Sequence, residues 1–279
     1  MYEFCTDYEK IFENIVGSAC SYVSSSKVKT LVIGMSGGID SALTAALAQE
    51  VVKRLNNTVL LEGSIIDIES NKLEMARAVK AADTFCHGHK YCYLDDLYRL
   101  AANRIMHTNR DNMKTRIRRG NIKARLRMID LYDLANELDG MVLSTDNYTE
   151  YLLGFWTLHG DVGDFGMIQN LWKTEVYRLA KYLVKRFNLS GRGYQADALN
   201  SCINAVPTDG LGVTNSDFDQ ILPDYNKNMS PKEVYQEIDE ILRLRRSAAH
   251  DQDEIVKRHR ATEFKRNNPF NVPRTYIIG

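Results

Sequence analysis

The sequence predicts an α/β fold, a doubly wound parallel sheet with flanking helices, on three observations. Short apolar runs, Leu31-Val-Ile33, Thr58-Val-Leu-Leu61, Tyr91-Cys-Tyr-Leu94 and Met141-Val-Leu-Ser144, have the length of buried strands. Stretches with apolar residues at helical spacing lie between them, and that alternation is the pattern of βαβ units. The first run drops through Gly34 into the turn Ser36-Gly37-Gly38, and a helical pattern opens directly at Ile39. Such a corner has no Cβ atoms to hold a ligand off the backbone, and it presents unpaired N–H groups at the positive end of a helix dipole. It binds phosphate; a packing turn is the alternative.

The elements follow in order. Ile11, Ile15, Ala19 and Tyr22 predict a helix from Asp7 to about Tyr22, broken by Ser24-Ser-Ser26. Ile39, Leu43, Ala46, Leu47 and Val51 predict the helix after the glycine turn, ending near Asn56-Asn57. Ile65-Ile66 is the continuation of the second strand or its loop. Glu74 to Asp83 and Leu97 to Met106 read as helices. Gly120-Asn121 suggests a further helix start, with Ile122, Leu126, Ile129 and Leu134 as its buried face. Thr145-Asp146-Asn147 caps a helix from Tyr148 to Trp156, and Thr174 to Phe187 is a well-patterned helix. Asn200 to Ser216 reads as a mobile lid around Pro207-Thr208. Pro231 to Ser247 and Asp251 to Phe264 form two closing helices.

Composition bounds the function. A chain of 279 residues, 44% apolar, is read as one domain over 1–279. Zero net charge leaves no chain-wide electrostatic footprint for nucleic acid or anionic membrane. No apolar run nears the ~20 residues of a membrane span, and the N-terminus lacks the basic-then-apolar order of a secretion signal, so a cytoplasmic location is expected. Five cysteines suit reduced thiols. Cys86-His87-Gly-His89-Lys-Tyr-Cys92 matches no zinc spacing and reads as a loop leading into a strand.

The corner Ser36-Gly-Gly-Ile-Asp40-Ser41 has neither the lysine of a Walker loop nor the third glycine of a dinucleotide fingerprint. Its hydroxyls suit phosphate oxygens, whereas Asp40 is favourable beside phosphates only with a bridging cation. Glu150, in the first turn of the helix that follows the Met141 strand, could face Asp40 and share Mg²⁺ with it; ordinary complementing of the helix dipole is the alternative. Lys173 starts a helix, where a cation opposes the dipole and suggests a phosphate partner. Lys114, Arg116, Arg118, Arg119, Lys123, Arg125 and Arg127 form a basic segment whose readings are a phosphate-ligand site, a solvated face or an RNA contact. The loop from His159 to Gly166 is a turn cluster or a substrate loop.

The corner resembles the pyrophosphate loop of the ATP pyrophosphatases. Taken with Gly120-Asn-Ile-Lys-Ala-Arg125-Leu-Arg127, Ser144-Thr-Asp-Asn-Tyr-Thr-Glu150, Gly160-Asp161, Lys173-Thr174, Pro207-Thr208 and Thr262-Glu-Phe-Lys265-Arg266, the chain resembles the ammonia-dependent NAD synthetases along nearly its whole length. The resemblance implies an adenine nucleotide alpha hydrolase-like sheet and a homodimer that amidates nicotinic acid adenine dinucleotide. ATP is the co-substrate, ammonia the nitrogen donor and Mg²⁺ the cofactor. Carried over by position, Gly34, Met35, Ser36, Gly37, Gly38, Ile39, Asp40 and Ser41 would hold ATP together with Thr145, Lys173 and Thr208. Asp40 and Glu150 would hold Mg²⁺, and Asp40, Glu150, Lys173 and Asp161 would be catalytic. Arg125, Asp164 and Lys265 would contact the dinucleotide, beside Leu158 and Phe264.

The departures fall mainly on the acceptor side. Leu158 stands where the family usually has a lysine, Phe264 where it has a histidine, and Leu61-Glu-Gly-Ser-Ile-Ile66 replaces its usual Leu-Pro segment. A second reading therefore keeps the adenylation but changes the acceptor, as in related amide ligases or thiolating enzymes. A third is a catalytically silent dinucleotide-binding homologue. No membrane or nucleic-acid partner is expected.

Overall fold

The computed structural model describes residues 4–106, 111–160, 162–208, 212–214, 216–222 and 225–274. Its elements are α1 (Tyr8–Ser26), β1 (Thr30–Gly34), α2 (Ile39–Arg54), β2 (Leu60–Asp67), α3 (Lys72–Phe85), β3 (Gly88–Tyr93), α4 (Asp95–Ile105), α5 (Met113–Glu137), β4 (Gly140–Ser144), α6 (Tyr148–Leu153), β5 (Phe165–Gly166), α7 (Lys173–Leu189), α8 (Gly193–Ile203), α9 (Phe218–Ile221), α10 (Pro231–Arg243), α11 (Glu254–Ala261) and α12 (Glu263–Arg266).

The strands form a parallel sheet in the order β3-β2-β1-β4-β5. Strands buried on both faces must be apolar on both, and β1 shows how the alternation is used. Leu31 and Ile33 point into the main core with α1, α2, α7 and α8, while Val32 points the other way, onto Leu134 and Ala135 of α5. The chain leaves β1 toward β2 and β3, then returns to place β4 on the other side of β1. That reversal puts a crevice at the carboxyl ends of β1 and β4, where a sheet of this kind takes its ligand.

Several boundaries differ from the sequence reading, each for a local reason. Ser24–Ser26 do not break α1: Ser25 and Ser26 donate their hydroxyls back to the carbonyls of Tyr22 and Val23 at 2.8 Å, and the helix stops at Lys27 in the left-handed region. Gly120 does not start α5, and Ile129, expected on the buried face of that helix, is 57% exposed. The cap is Asn112, whose side chain accepts the N–H of Thr115 at 3.0 Å, and Gly120 is buried inside the helix. Asn121 is used elsewhere, accepting the hydroxyl of Thr157 at 2.8 Å.

Ile65-Ile66 belongs to β2, β3 opens at Gly88, and α6 ends at Leu153. The stop at Gly154 is steric as well as conformational: its φ is +60°, and an added Cβ would stand 2.4 Å from Cβ of Thr262. Asn200–Ile203, expected in a lid, instead closes α8, whose buried Ala196, Leu199, Cys202 and Ile203 recur at helical spacing. No helix among the described residues is long and apolar enough to cross a membrane. The cysteines described are free thiols, and no group of three metal-ligating side chains forms among the described residues.

Candidate active site

The turn after β1 is held by its own serines. Ser36 and Ser41 hydroxyls lie 3.0 Å apart, Gly38 donates its N–H to Ser36 Oγ at 3.3 Å, and Ser41 Oγ donates to the carbonyl of Gly38 at 3.2 Å. Gly37 has φ +77°, and an added Cβ would stand 2.2 Å from the carbonyl oxygen of Glu74 and 3.0 Å from the amide of Ala78. Only glycine fits, because α3 lies directly on the turn. Met35 and Ile39 anchor the turn on either side by burying their side chains in the main core.

Asp40 projects from the first turn of α2 toward the crevice. Its Oδ1 accepts from Asn147 Nδ2 at 3.0 Å, and its Oδ2 accepts from Lys173 Nζ. The same ammonium donates to Glu150 Oε1 at 3.0 Å. Asn147 and Glu150 close a reciprocal cap at the start of α6: Asn147 Oδ1 accepts the Glu150 N–H at 3.1 Å, and Glu150 Oε2 accepts the Asn147 N–H at 3.2 Å. Residues from α2, α6 and α7 therefore converge on one ammonium. The Lys173 side chain is 3% exposed, whereas Asp40 and Glu150 keep 19% and 16%, so the carboxylates face the open crevice and the lysine lies behind them.

Burial is the largest influence on Lys173 and favours its neutral form, but Asp40 and Glu150 outweigh it and hold its pKa well above the ordinary value. Burial also raises Glu150, against the pull of Lys173 and with the repulsion of Asp40. Two carboxylates thus share one cation, a set that leaves local negative charge for a further cation to neutralise. The sequence suggests a phosphate partner for Lys173; in the structure its partners are these carboxylates.

Behind Lys173 lies a buried network. Its own N–H donates to Thr149 Oγ1 at 2.8 Å, Thr149 donates its hydroxyl to Asp239 Oδ1 at 2.5 Å, and the Thr174 N–H donates to Asp239 Oδ2 at 2.8 Å. Asp239 of α10 thereby caps α7 from outside it. Burial pushes its carboxyl up to about 7. Sequence reading missed Asp239, Thr149 and the bridging role of Asn147. The signal for Asp239 is an acid set in the apolar stripe Tyr235, Ile238, Leu242.

Two cavities meet at the carboxylates. One, about 230 Å³, runs from the glycine turn past Ser64, Ile66 and Leu131; the other, about 380 Å³, runs past Phe155, Trp156 and Lys265. Ser36, Asp40, Thr145, Glu150, Thr208 and Asp217 line both. Thr208 donates its hydroxyl to Glu74 Oε1 at 2.7 Å, fastening its loop to α3.

On the acceptor side, Lys265 lies on the second cavity and donates to the carbonyls of Gly154, at 2.6 Å, and Trp156. Arg125, Leu158, Asp164 and Phe264 line neither cavity. Arg125 donates to the carbonyl of Leu158 at 3.2 Å, and Phe264 is 61% exposed. Asp164 accepts from Tyr132 Oη and from the N–H of Val142, each at 2.9 Å, which binds it to the sheet edge. Asp161 lies outside the described residues.

This arrangement has relatives. The family model described as NAD synthase matches residues 11–269. An NH₃-dependent NAD⁺ synthetase of Thermoplasma acidophilum is 31% identical over 250 residues, covering 88% of this chain and 90% of that protein. One from Wolinella succinogenes is 33% identical over 198 residues, covering 71% and 72%. Among solved structures, the NMN synthetase of Francisella tularensis shares the fold at TM-score 0.75 and 24% identity, covering 96% of this chain and 99% of that one. The NH₃-dependent NAD synthetase of Campylobacter jejuni superposes at TM-score 0.66 and 25% identity, covering 96% and 100%. With its fold and nearly its whole length matched, the chain belongs to the NAD synthase family and is a ligase.

Proposed function

We propose that the protein uses ATP and ammonia to convert nicotinic acid adenine dinucleotide to NAD. The observation that carries this reading is the meeting of two cavities at Asp40 and Glu150, both held by Lys173, beneath a glycine turn. ATP occupies the first cavity with its phosphates on the turn; the acceptor carboxylate enters from the second. A carboxylate oxygen attacks the α-phosphorus, the bond to the bridging oxygen breaks, and its electron pair leaves with pyrophosphate. Ammonia then attacks the activated carbonyl carbon, AMP departs, and one proton is released.

The turn N–H groups and the α2 dipole stabilise charge on the phosphates, and Lys173 fixes the two carboxylates that face them. Asp40 and Glu150 offer hard oxygen donors open to the crevice, which suits Mg²⁺ bound through carboxylates and substrate phosphates. Mg²⁺, when bound there, neutralises charge on the leaving pyrophosphate. Thr145, Thr208 and Lys265 complete the walls.

A second reading takes nicotinic acid mononucleotide as the acceptor, after the name of the Francisella fold neighbour, an NMN synthetase. The test is pyrophosphate release and amide formation with ATP, Mg²⁺, ammonium and each acceptor in turn. NAD formation with the dinucleotide as the preferred acceptor supports the first reading; amide formation with the mononucleotide alone replaces it.

We further propose a homodimer through α4 and α5. Leu97, Leu100 and Ile105 on α4 and Met113, Ile117 and Ile129 on α5 are exposed large apolar side chains on two packed helices, which suits a self-complementary interface.

A further inference from the structure

Arg77, on α3, is outside every motif that marks the family resemblance, yet it lines the first cavity beside the glycine turn. Its Nε donates to the carbonyl of Gly37 at 3.0 Å, and α3 is pressed so closely on Gly37 that no Cβ fits between them. The guanidinium is therefore fixed to the turn through Nε, which leaves its two terminal nitrogens for another acceptor. Among the described residues Arg77 makes no ion pair within 4.0 Å, whereas Lys173 is shared by two carboxylates. A triphosphate brings several negative charges to a crevice whose buried lysine is already neutralised. A planar guanidinium at the turn matches phosphate oxygens in charge and shape.

We propose that Arg77 binds the β,γ-phosphates of ATP and the departing pyrophosphate. The inference rests on the reading of the first cavity as the ATP site. As the bond between the α-phosphorus and the bridging oxygen breaks and its electron pair moves onto pyrophosphate, Arg77 stabilises the growing charge beside the turn.

The test compares wild type with Arg77→Ala and Arg77→Lys, using magnesium pyrophosphate and AMP as product inhibitors. In Arg77→Ala, pyrophosphate inhibition should weaken and KM for ATP should rise, each about ten- to hundredfold. AMP inhibition and KM for the acceptor should stay within about twofold, because AMP lacks those phosphates. Arg77→Lys should fall between, and added guanidinium should restore part of the loss. If AMP and pyrophosphate inhibition weaken together, Arg77 only braces the turn and the proposal is overturned; so is it if neither changes. Should Arg77→Ala fail to fold, Arg77→Lys and Arg77→Gln supply the same comparison. A wild type that binds neither ATP nor pyrophosphate overturns the reading of the cavity itself. One that cleaves ATP with another acceptor leaves the Arg77 test intact, since it is read on the pyrophosphate side.

Discussion

Thr149 donates its hydroxyl to the buried carboxylate of Asp239 at 2.5 Å, and so joins α6, which carries Glu150, to α10. Asp239 also accepts the N–H of Thr174, the neighbour of Lys173. One acid outside the crevice thus sets the spacing of the helices that carry Glu150 and Lys173.

Asp239 should tie stability to pH. Its folded-state pKa of about 7 lies above the unfolded value near 4, so the folded protein holds a proton that the unfolded chain has released between those limits. Its contribution is fully present below about pH 4 and is lost as pH rises through about 7. Relative to Asp239→Asn, which cannot ionise, wild type should lose stability across that window by up to ~1.4 kcal/mol per pH unit. Urea unfolding of both proteins at pH 5 and pH 8 checks this; a difference between them that does not change with pH would remove Asp239 from the account.

Lys173→Met should be more damaging than its single charge suggests. It leaves Asp40 and Glu150 facing each other with no shared cation, a loss of about 3–5 kcal/mol for a buried pair. Adding Asp40→Asn should recover part of the stability, because it removes the repulsion, but none of the activity. Thermal melts of the single and double variants test the first point and pyrophosphate release the second. A double variant no more stable than Lys173→Met would contradict the coupling.

Gly37→Ala should impair the turn while sparing the sheet. The residue holds φ +77°, and its Cβ would stand 2.2 Å from the carbonyl oxygen of Glu74, so α3 must move away from the turn. A strained left-handed conformation alone costs on the order of 1–3 kcal/mol. ATP binding by calorimetry should fall below detection, with far-UV circular dichroism unchanged. Normal ATP affinity would mean that the close approach of α3 has no bearing on the turn.

The glycine corner and the carboxylate helix were legible because they are local: strand, turn and cap signals lie within a dozen residues of Ser36 and of Asn147. The parallel sheet was legible for the same reason, through its alternating periods. Asp239, Thr149 and Arg77 were not, since each acts on residues brought near only by packing of separate elements. Thr208 was legible as part of Pro207-Thr208, but its hydrogen bond to Glu74 depends on how α3 lies against the loop. Gly120 misled because a glycine mid-helix costs about 1 kcal/mol against alanine, a penalty that capping by Asn112 and burial along α5 overcome.

The proposed dimer gives a prediction that links assembly to the acceptor rather than to ATP. Ile117 is 42% exposed on α5 and also lines the second cavity, while no residue of α4 lines either one. Leu100→Asp with Ile105→Asp places two charges on the exposed surface of α4 without touching a cavity wall. If a second copy covers this helix, desolvating those charges disfavours association, and light scattering should show a monomer at micromolar concentration. Loss of the partner also uncovers Ile117 and the rim of the second cavity. KM for the dinucleotide should therefore rise at least about tenfold, the scale of one lost charge-assisted or apolar contact set, while KM for ATP stays within about twofold. A variant that stays dimeric places the interface elsewhere, and a fully active monomer would separate assembly from acceptor binding altogether.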